Sequence, residues 1–158
     1  MNFNDICDYD DGLLFKKGSD HIYGYLDENG YIQAHINRKT YRVHRIIWEM
    51  LKGPIPENYM IDHIDGNRAN NRIENLRLAT PMQNTANSTG FGVLPKGVKA
   101  HRKKFQARIN HKGVYQHLGT YDTVEEAKKA YDTKAQELHG EFARTENLQL
   151  DPQLLTVL

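Results

Sequence analysis

Two adjacent residues, Asp62 and His63, form the pair in this sequence best suited to chemistry. A carboxylate binds a hard divalent cation through oxygen, and an imidazole, whose ordinary pKa lies near neutrality, can take a proton from water. The pair therefore suits metal-assisted hydrolysis. Successive side chains of a strand point to opposite faces, so both serve one site only where the backbone bends. The Asp65-Gly66 turn that follows predicts such a bend.

A second metal ligand must come from elsewhere in the chain. Cys7 is the only cysteine, which excludes an intramolecular disulfide and a cysteine-type zinc site. Asn84 lies in the first turn of a predicted helix, where its amide oxygen can ligate Mg²⁺ or Ca²⁺ more weakly than a carboxylate does. Each feature has an ordinary alternative: an Asp-His pair is often surface polarity, and asparagine-rich loops often form Asx turns.

A strand, a loop, a second strand and a helix are predicted to position these residues. The first strand ends near His63, and a long loop rich in asparagine follows. Residues 76–78 form a second brief strand. Thr80 then begins a helix, with Pro81 at the first helical position, where proline is favoured.

The preceding segment, residues 22–44, predicts a small antiparallel meander. Asn29-Gly30 separates two β-rich runs, and this dipeptide is typical of hairpin turns. Residues 45–52 then have helical spacing, and a Gly-Pro pair ends that helix. We expect the two ends of the chain, 1–12 and 148–158, to fray.

Charge distribution favours a nucleic-acid partner more than net charge does. The 158-residue chain carries a net charge of only +1, but residues 96–112 are strongly basic and contain no acid. Such a stripe is typical of a phosphate-binding surface, and a solvated face is the alternative. No apolar run approaches the roughly 20 residues that span a bilayer. The N-terminus lacks a signal peptide's apolar core, so a cytoplasmic protein without a membrane partner is expected.

Residues 97–147 predict a separate unit of three strands and one helix, joined to the rest by a linker over 89–96. The helix, over 124–138, begins with a Thr123–Glu126 capping box. Alternation along the strands gives the sheet one apolar face and one basic, partly aromatic face. Ordinary surface polarity is the alternative to DNA binding by the second face. The residues predicted to bind DNA are Lys99, His101, Gln106, Arg108, Asn110, Tyr115 and His117, with Arg102 and Lys103 in the turn.

Three runs of sequence resemble the HNH endonucleases of the phage homing type. They are HRIIWE at 44–49, IDHIDGNRANNRIENLR at 61–77 and TPMQNTAN at 80–87. The resemblance covers roughly 40 to 90 and rests on a long, ordered pattern. It implies a ββα-metal fold and cleavage of phosphodiester bonds in a bacterial host cell, if the protein is phage-encoded.

The resemblance also implies roles for individual residues. His63 is the general base, Asp62 and Asn84 hold one divalent cation, and Asn75 fixes the loop and orients the base. Asn84 stands where many family members have a histidine, so the chain looks like the H-N-N variant. Asn87 is a further candidate for metal or phosphate binding. Mg²⁺ is the expected metal, and Mn²⁺ is the alternative.

For four basic residues near the motif, the sequence indicates a role less specifically. Arg68, Arg72 and Arg77 surround the site and could clamp flanking phosphates, with Arg77 best placed; surface solvation is the alternative. His44 either contacts DNA or packs, and packing is favoured.

Residues 97–147 resemble an AP2-type DNA-binding domain. The residues that carry this resemblance are GV at 97–98, FQARI at 105–109, LGTYDT at 118–123, EEA at 125–127, AYD at 130–132 and GEFAR at 140–144. In that family three strands lie in the major groove and a helix packs behind them.

The expected fold class is α+β: a β meander leading into a ββα-metal nuclease core (1–88), a linker (89–96), an AP2-like sheet-and-helix domain (97–147) and a tail (148–158). The expected function is a metal-dependent endonuclease, of homing type, acting on double-stranded DNA without a small-molecule cofactor, as a monomer or a dimer. The alternatives are an inactive DNA-binding regulator, a nuclease acting on RNA or branched DNA, and a nonspecific colicin-like nuclease.

Overall fold

The computed structural model describes residues 2–89 and 94–145. It combines α-helices with small antiparallel sheets, as predicted, and divides into two compact units, Met1–Pro81 and Met82–Leu158. Part of the predicted linker, 90–93, and the tail 148–158 lie outside the described residues, so these boundaries stay predictions. Within the described part of the chain, no helix is long and apolar enough to cross a membrane.

The first unit begins with a three-stranded antiparallel sheet that the sequence pattern did not predict. After a 3₁₀ turn, its strands are β1 (Cys7–Asp10), β2 (Leu13–Lys16) and β3 (Ile22–Tyr23). The expectation that 1–12 frays is wrong, because Phe3 and Cys7 are buried in the core beside Leu14. The acidic composition of the segment conceals these two apolar anchors.

The rest of the predicted meander and the helix follow, because Ile22 and Tyr23, predicted to begin the meander, pair with β2 in the first sheet. The meander consists of β4 (Tyr25–Leu26), β5 (Ile32–Ile36) and β6 (Lys39–Arg42), and the helix is α1 (Val43–Lys52). The Asp27 carboxylate holds the β4–β5 turn by accepting the backbone N–H groups of Asn29 and Tyr31. Helix α1 begins two residues earlier than predicted, and Val43, Ile46 and Ile47 bury its apolar face in the core.

A short hairpin carries the Asp62-His63 pair. Strand β7 (Met60–His63) pairs with β8 (Leu76–Ala79), so that Asp62 lies opposite Arg77. Helix α2 (Pro81–Ala86) follows β8, which gives the predicted order of strand, loop, strand and helix.

The second unit contains the three predicted strands and their helix. Strands β9 (Val98–His101), β10 (Lys104–His111) and β11 (Val114–Tyr121) form an antiparallel sheet with β10 in the centre. Helix α3 (Val124–His139) has the predicted capping box and packs Tyr131 and Ala135 against Ile109. Tyr131 leaves no room for a side chain at Gly97, where a Cβ would lie 2.0 Å from its ring.

Candidate active site

Buried polar side chains concentrate around the end of β7. Of the six buried polar or charged residues among those described, five belong to the first unit, and the sixth is Asn87. Burying a polar group costs free energy unless hydrogen bonds compensate it, so such a concentration is typical of a functional site. The five are His44, Asp62, His63, Asn71 and Asn75.

The two side chains of the Asp-His pair are both buried, at 5% and 4% exposure, but they contact different neighbours. The Nε of Arg77 donates to Oδ2 of Asp62 at 2.9 Å across the hairpin. The ring of His63 lies instead against His44 and Tyr31, with centroid distances of 4.9 and 6.1 Å. A turn begins directly after His63, whose carbonyl accepts the N–H of Gly66.

Asn71 determines which nitrogen of His63 carries the proton. The Oδ1 of Asn71 lies 3.1 Å from Nε2 of His63. An amide oxygen only accepts hydrogen bonds, so Nε2 donates and Nδ1 is the basic nitrogen. Burial lowers the pKa of His63, although the Asn71 hydrogen bond and the charges of Asp65 and Asp62 oppose it. The imidazole is therefore neutral at neutral pH, as a general base requires.

Asn75 ties the loop that follows His63. Its Nδ2 donates to the carbonyl of Asn70 at 2.8 Å and to Oδ1 of Asp65 at 3.0 Å, and its Oδ1 accepts the N–H of Asp65. Partial burial raises the pKa of Asp65, but hydrogen bonds from Asn70, Asn67 and Asn75 outweigh it and lower the pKa. Asn75 thus occupies the position that its predicted role requires, and that role stays a prediction.

His44 is buried beside the predicted base. Its ring lies 5.4 Å from that of Tyr31, and its Nδ1 has no hydrogen-bond partner among the described residues. Burial lowers its pKa to about 3. Repulsion from Arg42 and Arg45, and from His63 when that ring is protonated, adds to the effect. This burial agrees with the packing role that the sequence favoured.

Each predicted phosphate-binding arginine has a partner within the first unit. Arg77 is largely buried against Asp62, and exposed Arg72 pairs with Asp11 at 2.7 Å. Exposed Arg68 donates to the carbonyl of Asn29 at 2.9 Å. Their contacts with phosphate stay predictions.

Sequence reasoning missed Asn71, Tyr31 and Arg42. The guanidinium carbon of Arg42 lies 4.1 Å from the Tyr31 ring centroid. Asn71 lies in a run of asparagines, which indicated only a turn. No local pattern in the sequence indicated Tyr31 or Arg42.

Asn84 and Asn87 lie on and directly after α2. Asn84 is half-buried and Asn87 is buried. The Lys96 ammonium closes the end of α2 by donating to the carbonyls of Thr85, Ala86 and Ser88, and burial lowers its pKa to about 8. Binding of a metal by Asn84, and of a metal or phosphate by Asn87, stays a prediction.

The donor chemistry fits a hard cation better than zinc. Nowhere in residues 2–89 and 94–145 do three or more His, Cys, Asp or Glu side chains form a group that could hold a metal ion. A tetrahedral zinc site normally needs three or four such ligands, whereas Mg²⁺ retains several waters and accepts one or two protein oxygens. The Asp62 carboxylate supplies an oxygen of this kind.

The outward face of the second unit's sheet carries the residues predicted for DNA binding. Cross-strand pairing joins Arg108 to His117, Asn110 to Tyr115 and Gln106 to Lys99, which places each pair on one face. Ala107 and Ile109, on the opposite face, are buried. His101 ends β9 on the same outward face, and Arg102 and Lys103 are exposed in the β9–β10 turn. Their contact with DNA stays a prediction.

Residues 41–86, which hold the buried polar cluster, match the family model described as HNH endonuclease. Three relatives are similar over longer stretches. An uncharacterised HNH endonuclease, L560, of Acanthamoeba polyphaga mimivirus is 37% identical over 75% of this chain. Protein 3.8 of Escherichia phage T7 is 37% identical over 67% of the chain. YosQ of the Bacillus subtilis (strain 168) SPbeta prophage, named as a proposed HNH homing endonuclease, is 34% identical over 41%.

The relatives differ in how much of their own length the chain spans. The chain covers 91% of the phage T7 protein. It covers only 64% of the mimivirus protein and 38% of YosQ, less than two thirds of each.

Proposed function

Since this chain belongs to the HNH endonuclease family, we propose that it is a metal-dependent endonuclease of double-stranded DNA. The proposal further assigns it to the homing type, which the name of the similar SPbeta prophage protein supports. In this proposal the HNH segment, residues 41–86, hydrolyses a phosphodiester bond, and the outward face of β9–β11 provides the affinity for DNA.

The observation that carries the proposal is the buried, neutral His63 held by Asn71. The 3.1 Å contact joins Oδ1 of Asn71 to Nε2 of His63, so Nδ1 is the basic nitrogen of the ring. This nitrogen takes a proton from the water that attacks phosphorus. Asn75 maintains the backbone after His63 through its bonds to Asp65 and Asn70. The base is therefore oriented before substrate binds, so little reorganisation accompanies the reaction.

Asp62 and Asn84 are the residues that would hold one divalent cation, with Mg²⁺ expected and Mn²⁺ as the alternative. When bound, such a cation neutralises charge that develops on the phosphate and the leaving oxygen. The Asp62 carboxylate is oriented by Arg77, which bonds to its Oδ2. Asn87 is a further candidate for the metal or for phosphate.

The second unit is proposed as the DNA-binding domain of AP2 type. Its outward face presents Arg108, His117 and Tyr115, which suit contacts with phosphates and base edges. The guanidinium of Arg108 lies 5.5 Å from the ring of Tyr115, which holds both side chains on the same side of the sheet. Contacts of this kind release counterions and therefore weaken as salt rises.

Conversion of supercoiled plasmid tests the nuclease. The plasmid carries DNA from the neighbourhood of the gene, and purified full-length protein is added with Mg²⁺, with Mn²⁺ or with EDTA. We expect nicking or linearisation that depends on the metal and is lost in His63→Ala. His35→Ala is the matched control, because His35 is exposed on β5.

The outcomes separate the proposal from its rivals. DNA binding without cleavage in either metal would favour an inactive regulator, and cleavage of RNA or branched DNA in preference to the duplex would reassign the substrate. Cleavage that survives His63→Ala would contradict the assignment of the base.

For the second unit, Arg108→Gln should weaken binding more than Lys129→Gln, which changes an exposed residue of α3.

A further inference from the structure

The ring of Tyr31 holds two guanidinium groups beside the proposed base. The guanidinium carbon of Arg42 lies 4.1 Å from the ring centroid, and that of Arg68 lies 4.9 Å from it. Tyr31 follows the β4–β5 turn, whereas Arg42 ends β6 and Arg68 lies in the loop after β7. Three separate segments of the first unit therefore bring these side chains together.

Two like charges lie close together in this arrangement. Their separation is at most the sum of the two distances to the ring, which is shorter than the Debye length of about 10 Å at 0.1 M salt. Their repulsion is therefore only partly screened. Attraction to the negative face of the Tyr31 ring, typically about 0.5–1 kcal/mol for each exposed cation, offsets part of it.

Neither guanidinium forms an ion pair with a carboxylate among the described residues. Among the described residues, the ion pairs within 4.0 Å include Arg72 with Asp11 and Arg77 with Asp62, but neither Arg42 nor Arg68. Arg68 is anchored by a neutral group, the carbonyl of Asn29. Both side chains are exposed, so their remaining N–H donors face solvent and can receive an anion.

The turn that carries Tyr31 is rigidly held. The carboxylate of Asp27 accepts the N–H of Tyr31 at 2.9 Å and a hydrogen bond from the side chain of Gln33. Asp27 thus fixes the backbone at Tyr31. These hydrogen bonds lower the pKa of Asp27 and the charge of Arg42 lowers it further, but the ion pairs within 4.0 Å among the described residues do not include Asp27 with Arg42. The backbone that carries the ring is thereby fixed before any ligand binds.

The position of the ring identifies the anion. Its centroid lies 6.1 Å from that of the His63 imidazole. Burial lowers the pKa of His63, and Arg68 is near enough to the base for its charge to lower that pKa further. Because the base acts at the scissile phosphate and both guanidinium groups are held on a ring beside it, they are placed to meet a neighbouring phosphate of the same strand.

We propose that Arg42 and Arg68, held on the ring of Tyr31, bind one phosphate adjacent to the scissile phosphate of the substrate strand. This inference rests on the proposed function of His63. It gives a role to the N-terminal meander, which supplies both Tyr31 and Arg42. A guanidinium pair suits this task because its planar donors match phosphate oxygens.

The test measures binding of full-length protein to a labelled DNA duplex by anisotropy over a series of salt concentrations. Arg42→Gln/Arg68→Gln should lower affinity about tenfold and reduce the slope of log K against log salt by about 0.9, the value for one phosphate. Tyr31→Leu should reproduce part of this loss, and Tyr31→Phe, which keeps the ring, should not. Arg38→Gln/Lys39→Gln removes the same two charges at exposed positions at the β5–β6 turn and the start of β6, so it is the charge-matched control and should leave the slope unchanged.

A second arm locates the phosphate. Neutral methylphosphonates are placed singly around the cut position found in the plasmid assay. A methylphosphonate at one phosphate next to the cut should slow cleavage by wild-type protein. The same change in the DNA should have little further effect on cleavage by the double variant Arg42→Gln/Arg68→Gln.

An unchanged salt slope in the double variant, together with normal wild-type cleavage, would overturn the phosphate site alone. Failure of wild-type protein to bind or cut any DNA would overturn the proposed function, and this inference with it. A loss in Tyr31→Phe equal to that in Tyr31→Leu would contradict the role of the ring face.

Discussion

His44 should make the first unit sensitive to mild acid. Its ring is 3% exposed, packs against His63 and Tyr31, and its Nδ1 lacks a partner among the described residues. Burial lowers its pKa to about 3 from an ordinary value of 6.5. Between about pH 3 and pH 6.5, His44 therefore binds a proton in the unfolded chain but stays neutral in the folded unit.

The sign and size of the effect follow from proton linkage. Because the folded pKa is depressed, stability is complete above pH 6.5 and declines as the pH falls toward 3. At pH 5 the free energy of unfolding should be lower than at pH 7 by about 2 kcal/mol from this group alone, since each pKa unit corresponds to about 1.4 kcal/mol. That loss is a large part of the roughly 5–15 kcal/mol by which a domain is stable.

Urea unfolding followed by tryptophan fluorescence measures this loss. Trp48, the only tryptophan, packs against the core of the first unit and therefore reports on that unit. His44→Phe, which retains a ring but no proton site, should lose about 2 kcal/mol less than wild type between pH 7 and pH 5. His63, whose pKa burial also lowers, should leave a smaller residual loss. His35→Phe, at an exposed position of β5, is the control and should behave as wild type does.

An acid dependence in His44→Phe as steep as in wild type would refute the reasoning. It would mean that His44 is protonated in the folded unit, or that other groups dominate acid unfolding. Equal stability of both proteins at pH 7 and pH 5 would likewise contradict a buried, neutral His44.

Three other substitutions test separate parts of the structure. Asn75→Ala removes three hydrogen bonds, so it should lower the free energy of unfolding by about 3 kcal/mol in the same fluorescence assay and abolish plasmid cleavage. Arg77→Gln should cost about 3 kcal/mol because it removes a partner of buried Asp62, and Asp62→Asn in the same chain should recover part of that loss. Thr123→Ala removes the α3 capping box and should cost about 1 kcal/mol, measured by amide hydrogen exchange in α3, whereas Thr133→Ala in its exposed interior should not.

Each of these expectations has a contrary outcome. Full cleavage by Asn75→Ala would show that the loop does not need its side chain to orient the base. Additive losses in Arg77→Gln and Asp62→Asn would show that the ion pair carries no coupling energy. Equal hydrogen exchange in Thr123→Ala and wild type would contradict a stabilising cap.

The sequence by itself determined the local elements of this protein. Asn29-Gly30 indicated the β4–β5 turn, Pro81 the start of α2, and Thr123 the start of α3, because each residue acts on its own backbone. Alternation along β9 and β10 placed the basic residues on one face, since strand periodicity requires no knowledge of the partner. The Asp62-His63 pair was found in the same way, from residue type and a long ordered motif.

The tertiary structure decided which side chains meet. Asn71 contacts His63 across eight residues of loop, and Tyr31 joins Arg42 and Arg68 from three separate segments. The burial of Phe3 and Cys7 in an acidic terminus likewise depends on the core that receives them. These contacts depend on the path of loops and the packing of distant elements, which local propensity does not encode. Sequence periodicity therefore predicted the strands and helices, but the partners of His63 became visible only once the chain was folded.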